Sequence, residues 1–135
     1  MGCIVRPLCE NAEGVGHLNY GIDRSLTQAL SRLRRIYLLV NAVHGLNDAD
    51  RAMLQRLDEQ CQAASGTTFT LQAIITKADN LLRTPNGRGA IKDIQRDVFE
   101  TAPTCLPAIV TAALDDSRLG IDEMRKSIAE ACGFI

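Results

Sequence analysis

Apolar residues along this chain fall into short continuous runs separated by stretches with helical spacing. The runs at 36–40, 69–75 and 106–112 predict strands, because each is too short for a helix and rich in strand-forming residues. Continuous rather than alternating apolar residues are typical of strands that are covered on both faces, as in a parallel sheet.

Stretches with helical spacing lie between and after these runs. Helices are predicted from residue 22, from 47 or 48 to 64, from 89 to 101 and from 121 to 132, with a helical turn at 79–82. The residues expected to face inward include Leu26, Leu33, Met53, Leu57, Ile91, Ile94, Val98, Phe99, Ile121, Met124, Ile128 and Cys132. Alternating strands and helices predict an α/β fold, a three-layer sandwich around a partial, mostly parallel sheet.

Residues 1–21 show neither the apolar runs of strands nor the spacing of helices. Their glycines, with Pro7 and Asn11, indicate an irregular loop. We therefore expect an irregular N-terminal arm over residues 1–21 and a single α/β domain over residues 22–135.

The amino-acid composition excludes several classes of function for this chain. The 135 residues are 46% hydrophobic and 23% charged, which is typical of one globular domain. A net charge of −1 and 4% aromatic residues give no reason to expect nucleic-acid or membrane binding. No apolar run approaches the roughly 20 residues of a membrane span. Five cysteines without a Cys-x-x-Cys pair predict reduced thiols in an intracellular protein rather than a disulfide framework or metal site.

The strongest candidate chemistry is the motif Thr76-Lys77-Ala78-Asp79 at the end of the second predicted strand. A carboxylate there can accept two parallel hydrogen bonds from the N–H and NH₂ groups on one edge of guanine, an arrangement that adenine lacks. The stem of Lys77 can lie along the same ring. The competing interpretation is that these polar residues cap the turn after the strand.

A second candidate is Val110-Thr111-Ala112-Ala113, at the end of the third predicted strand. Small side chains at that position let backbone N–H groups approach a ring oxygen closely. Taken alone, these residues are better explained as an ordinary strand end with small side chains.

An ordered set of motifs carries a resemblance to a known family. The set comprises residues 33–50, Ile74-Ile75-Thr76-Lys77-Ala78-Asp79, Thr111-Ala112-Ala113 and Gly120-Ile121-Asp122-Glu123-Met124. It resembles the C-terminal half of the EngB (YihA) family of translation-factor-class GTPases, over roughly residues 33–132.

The resemblance implies half of a P-loop GTPase domain that binds GTP or GDP. It also implies a role in ribosome assembly, with a ribosomal assembly particle as partner, and a cytoplasmic or mitochondrial location. By the same resemblance Thr76, Lys77 and Asp79 would form the guanine-specificity loop. Thr111, Ala112 and Ala113 would form the loop whose backbone touches the base.

The chain also departs from that family. Asn41 stands where the family has an acid at a strand end, and the sequence contains no Gly-x-x-x-x-Gly-Lys-Ser/Thr and no Asp-x-x-Gly. Weak GTP or GDP binding is therefore expected, while Mg²⁺ binding and hydrolysis by this chain are not. The departure also leaves the strand at 36–40 without its neighbour, the phosphate-loop strand. We therefore expect an exposed apolar edge, Tyr37 to Val40, that is open to self-association.

Three hypotheses follow from the sequence. In the first, the chain is half of a GTPase fold that keeps guanine recognition without hydrolysis. In the second, it is a non-enzymatic interaction module that uses the exposed sheet edge at 36–40. In the third, it is an unrelated flavodoxin-like domain in which Thr76-Lys77-Ala78-Asp79 is a coincidence.

Overall fold

The computed structural model of the chain describes residues 2–7, 33–63, 69–113 and 118–134. Its strands are β1 (Gly2–Pro7), β2 (Leu33–Asn41), β3 (Thr70–Thr76) and β4 (Leu106–Val110). They form one sheet in the order β1-β2-β3-β4, and every neighbouring pair is parallel. The helices are α1 (Asp48–Ala63), α2 (Ala78–Leu82), α3 (Gly87–Thr101) and α4 (Ile121–Ala131).

Apolar residues of β2 and β3 pack on both faces of the sheet. Ile36, Leu38 and Val40 belong to the larger core, which α1 and α3 complete with Met53, Leu54, Leu57, Ile91, Ile94 and Val98. Tyr37 faces the other way and packs with Ile74 and Ile109, next to α4. Two helix layers around a parallel sheet confirm the predicted three-layer α/β fold. They also explain the continuous apolar runs, since neither sheet face is left to solvent.

The expectation of an irregular arm is wrong for residues 2–7, which form β1. This strand pairs with β2 from Gly2 opposite Leu33 to Pro7 opposite Leu39. Ile4 and Val5 are strand-forming residues, but the flanking glycine and proline made so short a run look like loop. Residues 8–32 lie outside the described residues, so the predicted domain boundary at residue 22 and the helix predicted from there stay predictions.

The expected exposed edge at 36–40 is also wrong. Strand β2 lies between β1 and β3, and Tyr37 and Val40 are 2% and 1% exposed. The backbone groups of β2 that were expected to be open are paired with β1. Self-association through this strand, and the interaction module built on it, therefore lose their basis.

The inward faces of two helices differ from the prediction. Ile91, Ile94 and Val98 of α3 are buried as expected, but Phe99 is 65% exposed. In α4 the buried residues are Ser127 and Ala131, while Ile128 is exposed. Helix α4 therefore meets the sheet with a polar side chain near its centre.

A chain of hydrogen bonds connects that serine to the sheet. The Arg35 guanidinium donates to the Ser127 carbonyl and to Ser127 Oγ, at 2.9 and 2.7 Å. Tyr37 Oη lies 2.9 Å from the same Oγ, and Ser127 Oγ donates to Gln72 Oε1 at 2.6 Å. The Gln72 amide then donates to the Pro107 carbonyl at 2.8 Å. Because every group has a partner, this buried network stabilises the position of α4 on the sheet.

Two further findings bear on earlier expectations. No helix in the described segments is long and apolar enough to cross a membrane. Cys61, Cys105 and Cys132 are free thiols, and burial raises the pKa of the Cys105 thiol to about 11. Cys105 is therefore fully protonated at neutral pH, as expected of a structural thiol.

Candidate functional site

The carboxyl ends of β2, β3 and β4 bring the predicted site residues together. Thr76 ends β3 opposite Asn41, and Thr111 follows β4 directly. The Thr111 N–H and hydroxyl both donate to the Ile75 carbonyl, at 2.7 and 3.1 Å. This is the sheet edge at which open α/β folds bind ligands.

Lys77 has a left-handed backbone conformation, with φ 56° and ψ 35°. Such a conformation is uncommon for a residue with a Cβ and costs about 1–2 kcal/mol. Its effect is to reverse the chain so that Lys77 is exposed while Ala78 and Asp79 are buried. The Ala78 N–H then donates to the Thr111 carbonyl at 3.1 Å, which ties the two predicted loops together.

Asp79 carries the least satisfied polar atom of the site. The residue is 5% exposed, and its Oδ1 is buried without a hydrogen-bond partner. Across the described segments no other buried side-chain nitrogen or oxygen lacks a partner. An unsatisfied buried acceptor costs about 1–3 kcal/mol, so it is rare in folded proteins unless a ligand or water satisfies it. An N–H donor from a planar ring fits this requirement.

The backbone of the second loop is largely used within the chain. The Thr111 N–H bonds to Ile75, and the Ala112 N–H donates to the Leu119 carbonyl at 3.1 Å. These two N–H groups therefore shape the loop rather than face a ring. Ala113 is exposed, and its N–H takes part in neither bond.

Gly120 supports this loop in a way that the sequence motif did not reveal. Its φ is +71°, and a Cβ at this position would lie 2.0 Å from the Val110 carbonyl oxygen. Glycine is thus required both by the backbone conformation and by the close approach to β4. The approach places Leu119 opposite Ala112 in an isolated antiparallel bridge.

Asn41, which stands where the family has an acid, makes a local turn. Its side-chain Oδ1 accepts a hydrogen bond from the Val43 N–H at 3.0 Å, and its carbonyl accepts one from the Gly45 N–H at 2.9 Å. This is the usual way in which an asparagine stabilises the turn after a strand. The described contacts therefore give Asn41 a structural role.

Replacing Lys77 with glycine is expected to raise the free energy of unfolding by about 1 kcal/mol, because glycine adopts the left-handed conformation without strain. Urea denaturation measures the change. The matched control is Lys92→Gly in α3, which should lower stability by about 1 kcal/mol, as glycine does inside helices. A loss of stability in Lys77→Gly would contradict the strained geometry.

Comparison with known proteins supports the resemblance. A protein from Ruegeria sp. named "Probable GTP-binding protein EngB" is 33% identical over 110 residues, covering 79% of this chain and 46% of the relative. Proteins of the same name from Nitrobacter winogradskyi and Caulobacter vibrioides are 29% and 24% identical, covering 75% and 82% of this chain. No protein-family model matches the sequence.

The chain spans less than half the length of these relatives, 42% to 46%. The matched region is the C-terminal part of the chain, which contains β2 to α4 and the candidate site. Its all-parallel α/β architecture is that of part of a P-loop GTPase domain. The predicted resemblance is therefore confirmed: over its C-terminal part, this chain is similar to the EngB-type GTP-binding proteins, of which it spans less than half.

Proposed function

We propose that this chain recognises guanine at the carboxyl edge of its sheet, without hydrolysing a nucleotide. The observation that supports the proposal most is the buried, unpartnered Oδ1 of Asp79. The relatives' name, "Probable GTP-binding protein EngB", supports the same ligand class.

Asp79 is the group that would select the base. An ionised carboxylate only accepts hydrogen bonds, so it pairs with the N–H and NH₂ donors of guanine. Adenine presents a bare ring nitrogen at the corresponding position and would leave the buried oxygen unsatisfied. Sites built around a buried polar group discriminate strongly for this reason.

The remaining site residues would position the ring. Lys77 is exposed beside Asp79, so its alkyl stem is free to lie against a ring face. The exposed backbone of Ala113 is the part of the second loop that can meet the ring oxygen. Thr111 joins the two loops, because it bonds to Ile75 and accepts from the Ala78 N–H. Thr76 bonds instead to Val40 and Ala42 at the end of β2, and the Ala112 N–H bonds to Leu119 within the second loop.

Hydrolysis is not part of the proposal, because the sequence contains neither Gly-x-x-x-x-Gly-Lys-Ser/Thr nor Asp-x-x-Gly. Phosphoryl transfer depends on groups that position the phosphates and on bound Mg²⁺. GTP and GDP would therefore bind weakly, through the base, and Mg²⁺ would not strengthen binding.

Replacing Asp79 with asparagine tests the proposal. The asparagine amide donates where the carboxylate accepted, so it suits xanthine, which has a carbonyl in place of the NH₂ group of guanine. Calorimetric titration should show guanosine affinity falling about 10- to 100-fold, the usual value of a hydrogen bond to a charged group, while xanthosine affinity rises. Adenosine should bind neither protein.

The matched control is Asp93→Asn, which removes an exposed carboxylate from α3. It should leave guanosine affinity unchanged. Unfolding by urea should show that Asp79→Asn remains folded, because asparagine has nearly the same shape as aspartate. Unchanged guanosine affinity in a folded Asp79→Asn protein would refute the proposed site.

A role in ribosome assembly, and a location in cytoplasm or mitochondrion in particular, rest on the family resemblance alone. Cosedimentation of the chain with ribosomal assembly particles on sucrose gradients tests that role independently of nucleotide binding.

A further inference from the structure

We propose that Gly87 is a positioning residue of the guanine site. Because it has no side chain, α2 packs directly on the start of α3, and this contact fixes where Asp79 lies. The inference rests on the proposed function. It concerns a residue outside both predicted loops, beside the far end of the short helix that carries Asp79.

The place of Asp79 depends on where α2 lies. Its buried Oδ1 has no hydrogen-bond partner within the described segments, so no bond orients that oxygen. Helix α2 has five residues and is about 7 Å long, and the bond from the Ala78 N–H to the Thr111 carbonyl holds its first residue. A single anchor leaves so short a helix free to tilt about that bond. Its other end must therefore be held as well.

Gly87 provides the second contact, against the backbone of Leu81. A Cβ at Gly87 would lie 2.5 Å from the Leu81 carbonyl carbon, closer still to its oxygen, and 3.1 Å from Leu82 Cα. The turn between the helices supports this contact. The N–H and the hydroxyl of Thr84 donate to the Leu81 carbonyl at 3.0 and 2.7 Å, and the Gly87 N–H donates to the Thr84 carbonyl at 3.2 Å. The end of α2 and the start of α3 thus meet backbone to backbone.

The local backbone gives no other reason for a glycine at this position. Gly87 lies in α3 without a positive φ, and alanine is the better helix former there. Gly89, two residues later, shows the contrast, because a Cβ there would meet nothing within 4 Å. A side chain at Gly87 would force α2 and α3 apart. Since buried apolar side chains anchor α3 in the core, α2 and the Asp79 that it carries would be displaced.

Replacing Gly87 with alanine tests the inference, and Gly89→Ala is the matched control. Both proteins are titrated calorimetrically with guanosine and with inosine, which keeps the ring N–H but lacks the NH₂ group. The ratio of the two affinities measures how well the Asp79 carboxylate meets both donors. In the unsubstituted chain we expect a ratio of about ten or more, the usual value of a hydrogen bond to a charged group.

Gly87→Ala should lower guanosine affinity about tenfold and bring the ratio of guanosine to inosine affinity close to one, because hydrogen bonds weaken steeply when they are misaligned. Gly89→Ala should change neither quantity. A general loss of stability would reduce the fraction of folded protein equally for both ligands. It would therefore leave the ratio unchanged.

Hydrogen exchange on the unsubstituted chain provides a second test, which does not require Gly87→Ala to fold. Coupling between two places is reciprocal, so guanosine bound at Asp79 should tighten the contact at Gly87. Guanosine should slow exchange of the Thr84 and Gly87 amides severalfold more than that of Ala102 and Cys105, whose amides are hydrogen-bonded at the other end of α3. Equal slowing of all four amides would overturn the inference.

The outcomes separate the inference from the function on which it rests. Unchanged guanosine affinity and an unchanged ratio in a folded Gly87→Ala protein would overturn the inference and leave guanine recognition intact. Equal binding of guanosine and adenosine by the unsubstituted chain would overturn the proposed function and the inference with it. A ratio that falls in Gly87→Ala but not in Gly89→Ala would establish that Gly87 positions Asp79.

Discussion

Replacing Gly120 with alanine is expected to lower the free energy of unfolding by about 3 kcal/mol and to abolish guanosine binding. Two costs add: about 1–2 kcal/mol for a side chain at φ +71°, and about 1–3 kcal/mol for inserting a methyl group into packed surroundings. The added Cβ would lie 2.0 Å from the Val110 carbonyl oxygen, so the backbone must move. That movement breaks the Ala112–Leu119 bridge beside the candidate site.

Gly133 provides a matched control for this prediction. Its φ is +80°, but a Cβ there would meet nothing within 4 Å. Gly133→Ala should therefore cost only the conformational part, about 1 kcal/mol, and leave guanosine binding unchanged. Urea denaturation and calorimetric titration of both variants measure the two effects. Equal losses of stability would show that the close approach to β4 does not contribute.

Replacing Arg35 with leucine is expected to lower the free energy of unfolding by about 3 kcal/mol. The substitution keeps much of the apolar volume but removes the charged donor of three hydrogen bonds, two to Ser127 and one to Thr70 Oγ1. A hydrogen bond donated by a charged group contributes about 1.5–3 kcal/mol. The Glu130 carboxylate, 3.9 Å from the guanidinium and half-exposed, would lose little.

Arg34 provides the matched control, because it is the preceding residue of the same strand and its side chain is exposed. Arg34→Leu should change stability by less than about 0.5 kcal/mol. A double-mutant cycle of Arg35→Leu with Ser127→Ala should show a coupling of about 1–2 kcal/mol, as expected for residues within one hydrogen-bond network. Additive effects of the two substitutions would mean that the network does not act as a unit.

The regular elements were predictable because local pattern determines them. The strand predicted at 69–75 is β3 at Thr70–Thr76, and the helix predicted from 47 or 48 to 64 is α1 at Asp48–Ala63. Both have long, consistent apolar patterns, which no tertiary contact needs to override. The position of the motif Thr76-Lys77-Ala78-Asp79 was also predictable, because it directly follows the apolar run of a predicted strand.

The pairing of β1 was not predictable from local pattern. Six residues bounded by Gly2 and Pro7 carry little signal, and their partner, β2, begins about thirty residues later in the chain. The same limit applies to α4, whose apolar pattern pointed to Ile128. Ser127 is buried instead, because Arg35 and Gln72 on the sheet form hydrogen bonds with its hydroxyl. The apolar spacing of the helix gives no sign of these polar partners.

Local sequence was enough to establish an α/β chain of parallel strands, a resemblance to EngB-type proteins and a loop suited to guanine. Tertiary structure decided which sheet edge is covered, because strand pairing joins residues that are distant in sequence. It also decided that Asp79 is buried with an unpartnered oxygen, since burial depends on the Lys77 turn and on its hydrogen-bonded contact with Thr111. The sequence motif identifies the carboxylate. Only tertiary packing buries it away from water and so leaves it without a hydrogen-bond donor.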